Sequence, residues 1–163
     1  MVKGSKVTES KKPLEDVVDI ELKELQKKRF RLDRDNNRVI ELNTSDITVI
    51  SRLEEIYPKM MTAVQEVQAK LAAKDDADLE DTLKAFSEIN DKMKELLNYA
   101  FDSDIADKAC PEGSLFDPIA GRFRFEYIME KLVSLYGENF NNEFKLMQKR
   151  VDKHTSKYTK KRK

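Results

Sequence analysis

Three long stretches of this chain carry apolar residues at nearly every third or fourth position, the period that gathers them on one side of an α-helix. The first runs Ile47, Ile50, Leu53, Tyr57, Met60, Met61, Val64, Val67 and Leu71. The second runs Leu79, Leu83, Phe86, Ile89, Met93, Leu96, Leu97 and Phe101. The third runs Phe125, Ile128, Leu132, Leu135, Tyr136, Phe140, Phe144, Met147 and Val151, with Gly137 as a mild interruption. Asn43-Thr44-Ser45-Asp46 marks the first helix start: Thr44 or Ser45 can accept from an unpaired amide, and Asp46 faces the positive helix end. Pro58 costs a hydrogen bond inside that stripe, so either a kink near Tyr57 or a junction of two helices is expected. The first two stripes meet at alanine-rich AKLAAKDDAD, which implies an antiparallel helical hairpin. Near-heptad spacing leaves a coiled-coil arm or an intermolecular bundle open.

Before these helices the period changes from three or four to two. Val18, Ile20 and Leu22 alternate with Asp19 and Glu21, which favours a half-buried strand over a short helix through Leu25. In RLDRDNNRVIELNT, Arg31 to Thr44, apolar alternation is broken by DRDNN turn chemistry and resumes in RVIEL, the pattern of a β-hairpin. The same stretch begins like a calcium loop, with Asp33, Asp35 and Asn37 alternating. Such a loop needs glycine at its sixth position and a bidentate glutamate at its twelfth. Arg38 and Thr44 stand there instead, so the hairpin is the better account. Between the second and third stripes, CPEGSLFDPIAG breaks the period with Pro111, Gly113, Pro118 and Gly121, while Leu115, Phe116 and Ile119 give an ordered loop something to bury. Residues 1–13 read as a flexible basic arm, 14–152 as a single mainly helical domain, and 153–163 as a basic tail. HTSKYTKKRK loses apolar periodicity and is expected to fray or stay disordered.

Composition adds that 38% of residues are charged against 39% hydrophobic, which points to long solvated helix faces, disordered ends or an oligomeric shape. Net charge is zero, yet acids dominate from Lys74 to Lys108 and bases from Lys145 onward. No stretch reads as a signal peptide or membrane span, and the single cysteine, Cys110, forms no intrachain disulfide, so a cytoplasmic protein is the expectation.

Catalytic candidates are scarce. His154, the one histidine, lies in the basic tail and reads as solvated. Cys110 has no neighbouring base to activate it and reads as a buried or semi-buried thiol. Four dispersed glycines make no phosphate-cradling loop, and Glu54 with Glu55 or Asp75 with Asp76 look like helix surface. No catalytic, cofactor-binding or metal-binding residue is expected. The bulky apolar residues have two readings, as core or as a surface for self-association or a helix-in-groove partner. Tyr57, Met60, Met61, Phe140 and Phe144 are the partner-binding candidates. Lys157, Lys160, Lys161, Arg162 and Lys163 could instead neutralise phosphates, the alternative of a nucleic-acid-binding tail.

RFRLDRDNNRVIELNTSD, CPEGSLFDPIAGRFRFEYI and KHTSKYTKK give the chain, from about Lys27 to Lys160, a resemblance to small tail-morphogenesis proteins of phages and prophages of Gram-positive bacteria, some of them tail assembly chaperones. The resemblance implies a non-enzymatic assembly factor that binds tape measure protein, tail tube subunits or both before polymerisation, within the bacterial host cell. A structural tail component of the virion is the other role that it allows. It assigns no function to any single residue.

Overall fold

The computed structural model describes residues 20–24, 26–73 and 78–159. The basic arm, Val18 and Asp19, part of the acidic turn and residues 160–163 lie outside them. In chain order the elements are β1 (Lys28–Arg31), β2 (Val39–Leu42), α1 (Thr48–Ala72), α2 (Leu79–Phe101), α3 (Ile105–Ala109), β3 (Pro118–Ile119), β4 (Arg122–Phe123) and α4 (Arg124–Thr159). The chain is thus mainly helical with a short hairpin before the helices. The short α3 and the two-residue strands occupy the stretch expected to be an ordered loop.

β1 and β2 pair antiparallel, with Phe30 opposite Ile40 and Lys28 opposite Leu42. Alternation sends Ile40 and Leu42 into the core while Glu41 faces outward opposite Arg29. The would-be calcium ligands are occupied by the turn itself. Asp35 accepts from the Asn37 amide at 2.9 Å, and Asp33 pairs with Arg38 at 3.0 Å. Asp33 and Arg34 both take positive φ, a conformation aspartate tolerates better than most residues. Arg38, in the place a calcium loop reserves for glycine, also donates to the Lys108 and Ala109 carbonyls at 2.8 and 2.9 Å. It therefore caps the end of α3 and fastens the hairpin to the helices. Of the strand expected over Val18–Leu22, Val18 and Asp19 lie outside the described residues, and Ile20 to Leu22 have no regular structure and are exposed.

α1 is a single helix that runs through Pro58, so of the two arrangements expected there, a kink or a junction of two helices, the junction is absent. Ile56 and Met60 are buried on either side of the proline, and this packing holds the turn together. Pro58 itself lies on the exposed face, where water can satisfy the carbonyl it leaves free. The helix start also differs from expectation. Neither Thr44 nor Ser45 caps it; Asp46 accepts from the Thr48 amide at 2.9 Å. Arg52, one turn on, reaches Asp46 at 2.7 Å and the Ala100 carbonyl at the end of α2 at 2.8 Å. Its guanidinium thus ties the start of α1 to the end of α2.

The α1–α2 seam is made by Val49, Ile56, Met60, Ala63 and Val67 against Ile89, Met93, Leu97 and Ala100, all buried. Three asparagines hold the remaining segments to this pair. Asn98 accepts from the Ala106 amide at 2.8 Å and so seats α3. Buried Asn90 accepts from the Leu115 amide at 2.8 Å and holds the loop that carries Leu115 and Phe116 inward. Asn139 of α4 donates to the Thr44 carbonyl at 2.9 Å. Phe116, Phe123 and Phe125 pack ring against ring beneath the start of α4, and Tyr136 packs on Phe101 with centroids 5.6 Å apart.

α4 does not fray where apolar periodicity ends but continues to Thr159. Lysine and arginine are good helix formers, and their charge is favourable near the negative end of a helix.

Two glycines respond oppositely to an added methyl group. Gly113 has φ +81°, and its Cβ position is filled by the Asp117 carboxylate that accepts from the Ser114 amide at 2.9 Å. Gly137 is helical with open space around it. Urea unfolding is expected to show Gly113→Ala losing about 2 kcal/mol and Gly137→Ala gaining about 1 kcal/mol.

Burial pushes the Tyr136 phenol up to about 12, with the Asp46 charge acting in the same direction. A raised pKa favours the neutral, folded form, so its contribution is complete below pH 10 and is lost as pH rises toward about 12. Stability measured across that window should fall less steeply in Tyr136→Phe than in the parent.

Candidate functional site

α4 is the longest element, and only its first half has a body to pack on. Phe125, Leu132 and Tyr136 are buried, Phe140 is half-buried against Tyr136, and Asn139 makes its bonds to Thr44 and to Ser45 Oγ. Beyond this point support ends. Every residue from Asn141 to Lys153 is exposed. The exposed stretch, residues 141–153, is about 20 Å long at ~1.5 Å per residue.

This free half is still amphipathic. Phe140, Phe144, Met147 and Val151 follow a four-three-four spacing that lines them along one side, as in a coiled-coil seam. Phe144, Met147 and Val151 are 56%, 55% and 57% exposed, which is high for residues of this size spaced as a core stripe. Leu146 adds a further exposed apolar side chain beside them. Lys145, Lys149, Arg150 and Lys153 surround the stripe with positive charge, against Glu143 and Asp152. A shallow groove runs along the helix between Glu143, Leu146, Met147, Lys149, Arg150 and Lys153. The surface can cover the apolar face of another helix while its rim stays hydrated.

Of the five partner-binding candidates, Phe144 lies on this free stripe and Phe140 at its root. Tyr57 and Met61 share an outer face of α1, 63% and 38% exposed. They form a second patch: Asn139 sets Phe140 beside the start of α1, and Tyr57 lies roughly 13 Å further along that helix. Met60 does not belong to any surface. It is 6% exposed within the α1–α2 seam, because its position on the helix turns it toward α2 while Met61, one residue on, turns away. Of the basic candidates, Lys157 falls within α4, and Lys160, Lys161, Arg162 and Lys163 lie outside the described residues.

Met147, Val151 and Leu146 were not singled out as partner-binding residues, yet they belong to the exposed surface. The stripes themselves gave no such signal, since Phe125–Val151 is scarcely longer than Ile47–Leu71; the second half of α4 is uncovered because α4 meets the α1–α2 pair near one end.

Elsewhere the geometry is structural. Cys110 is fully buried, its sulfur 3.4 Å from the Glu112 carbonyl. Burial pushes its thiol up, and the charges of Arg124 and Lys94 only partly offset this. It behaves as a small core residue. Glu55 accepts from the Tyr99 hydroxyl at 2.7 Å, which holds its carboxyl below the usual range and the phenol above its own. Glu54 stands beside it on the exposed surface of α1. A cleft of about 340 Å³ lies between the hairpin, α3 and α4, floored by Leu32, Ile105, Ile128 and Leu132. Arg38 and Arg124 at its edge already donate to main-chain carbonyls. Among the described residues no group of three or more histidine, cysteine or carboxylate side chains is arranged to hold a metal ion, and no helix is long and apolar enough to cross a membrane.

No family model, curated protein or solved structure matches this chain.

The separation of seam from surface predicts unequal tolerance to charge. Phe144→Asp or Met147→Asp should alter unfolding free energy by no more than about 0.5 kcal/mol. Met60→Asp should cost about 4 kcal/mol or more, since it strands a carboxylate in the α1–α2 core. Thermal melts followed by circular dichroism compare the three directly.

Proposed function

We propose that this chain is a non-enzymatic assembly factor of the tail-chaperone type, which holds an amphipathic helix of a tape measure protein or a tail tube subunit before polymerisation. One observation carries the reading: the second half of α4 stands clear of the body with Phe144, Met147 and Val151 on one exposed side. Such a stripe is unfavourable to leave in water and specific enough to cover a matching helix. The dense charge around it keeps the complex soluble. The resemblance of the segments from Lys27 to Lys160 supplies the class of client, and the geometry supplies a means of gripping it.

Methionine suits the task. Its unbranched, polarisable side chain repacks against varied apolar partners, so Met147 and, on α1, Met61 accommodate a repetitive helical client without a single fixed register.

Co-expression with tape measure protein is expected to raise the soluble fraction of the client and to retain both chains on an affinity tag placed on either. The triple variant Phe144→Asp, Met147→Asp, Val151→Asp should lose the client while keeping its own fold. Equal client solubility with parent, variant or no partner would remove this reading. Recovery of the chain from washed virions by mass spectrometry would favour a structural tail component instead.

A further inference from the structure

The same free helix also carries information about what covers it when no client is present. Along α4 the apolar positions Phe140, Phe144, Met147 and Val151 occupy alternate a and d sites of a heptad, with Phe140 and Met147 at d. The flanking g positions are then Glu143 and Arg150, seven residues apart and opposite in charge. Both are exposed, and among the described residues neither has an ion-pair partner within the chain. The corresponding e position is Gln148, which is neutral.

We propose that two copies of this chain pair through the free halves of α4, antiparallel, with Glu143 of each facing Arg150 of the other. Orientation follows from the charges. In an antiparallel pair g positions face g positions, so a packs on d across the seam, and Phe144 of one copy lies on Met147 of the other. Both g contacts are then attractive, and the twofold axis makes them identical. In a parallel pair g faces e; Glu143 would meet neutral Gln148, and no ion pair forms. The seam therefore fits a second copy of itself in one direction only.

In this register the free halves overlap from Asn141 to Arg150, about 15 Å at ~1.5 Å per residue, so the contact is smaller than the roughly 1,200–2,000 Å² of a standard interface. The dimer is accordingly reversible and concentration-dependent, a cover that a client helix can replace. The inference concerns the isolated protein and stands whether or not the client is a tape measure protein.

Sedimentation equilibrium of the full chain tests it. A monomer–dimer equilibrium is expected. Glu143→Arg and Arg150→Glu should each weaken the dimer about tenfold, since each single reversal turns two attractive contacts repulsive. The double variant Glu143→Arg, Arg150→Glu should restore the parent affinity. Both sites lie on the solvated half of α4, so circular dichroism melts of all three variants should match the parent and exclude misfolding as the cause. A chain that stays monomeric at high concentration overturns the proposal. So does a dimer indifferent to the single reversals, or one that the double variant fails to restore. A monomer that still retains tape measure protein would remove the dimer and leave the client reading; a charge-restorable dimer that retains no client would do the reverse.

Discussion

The structure depends on the pairing of α1 with α2 and on the arginine that fixes its open end. An antiparallel helix pair with aliphatic and methionine side chains along its seam can slide by a turn at modest cost, because one apolar contact substitutes for another. Arg52 removes that freedom. It reaches Asp46 at 2.7 Å, Thr48 Oγ1 at 2.7 Å and the Ala100 carbonyl at 2.8 Å, so only one register satisfies all three. The Arg52 and Asp46 side chains are each 20% exposed, so neither partner is fully hydrated if the other is withdrawn. Breaking a buried pair costs about 3–5 kcal/mol, and a partly exposed one costs less. Burial by itself raises the Asp46 carboxyl, but its hydrogen bonds with Thr48 and Arg52 and the Arg52 charge outweigh this, leaving it below the usual range. Its share of stability is therefore full above the ordinary carboxylate pKa and lost as pH falls through the lowered one.

Once that register is set, single polar side chains place everything else. Asn98 seats α3, Asn90 holds the Ser114–Leu115 turn, Arg38 carries the hairpin, and Asn139 sets α4 over the beginning of α1. Each bond contributes only about 1 kcal/mol net, so none of them folds the chain. Their value is directional: an apolar core of this size accepts several arrangements of its outer segments, and an amide that must meet two fixed partners accepts one.

This division of labour explains what could be read in the sequence. Periodicity revealed the three long helices, the helical hairpin and the β-hairpin, because those are repeated signals spread over many residues. At Pro58 the local rule leaves a kink and a junction of two helices both open, and only the burial of Ile56 and Met60 against α2, a fact of packing, keeps one helix there. Ile20 to Leu22 continue an apolar–polar alternation, but among the described residues no strand lies beside them to pair with. Met60 and Met61 were indistinguishable by type, and only the helix phase relative to α2 separates core from surface. Asn98, Asn90, Asn139 and Arg38 gave no signal, since their partners are main-chain atoms 8 to 95 residues away.

The free half of α4 follows from the lengths of the other elements. α1 and α2 have 25 and 23 residues and lie beside each other, whereas α4 has 36 and crosses them near one end. An isolated helix of the free segment's size is marginal in water, because the first turn must form before hydrogen bonds accumulate. Here the packed half supplies that turn, and the remainder grows from an existing end. The apolar stripe then adds little to folding, since its residues remain about half exposed. Covering what is left of Phe144, Met147 and Val151 releases on the order of 1 kcal/mol for each, at ~25 cal/mol per Å². That gain is too small for a permanent complex once the loss of rigid-body freedom is subtracted. A cover held by so small a gain exchanges easily, and charges flanking the stripe then weigh more in its specificity.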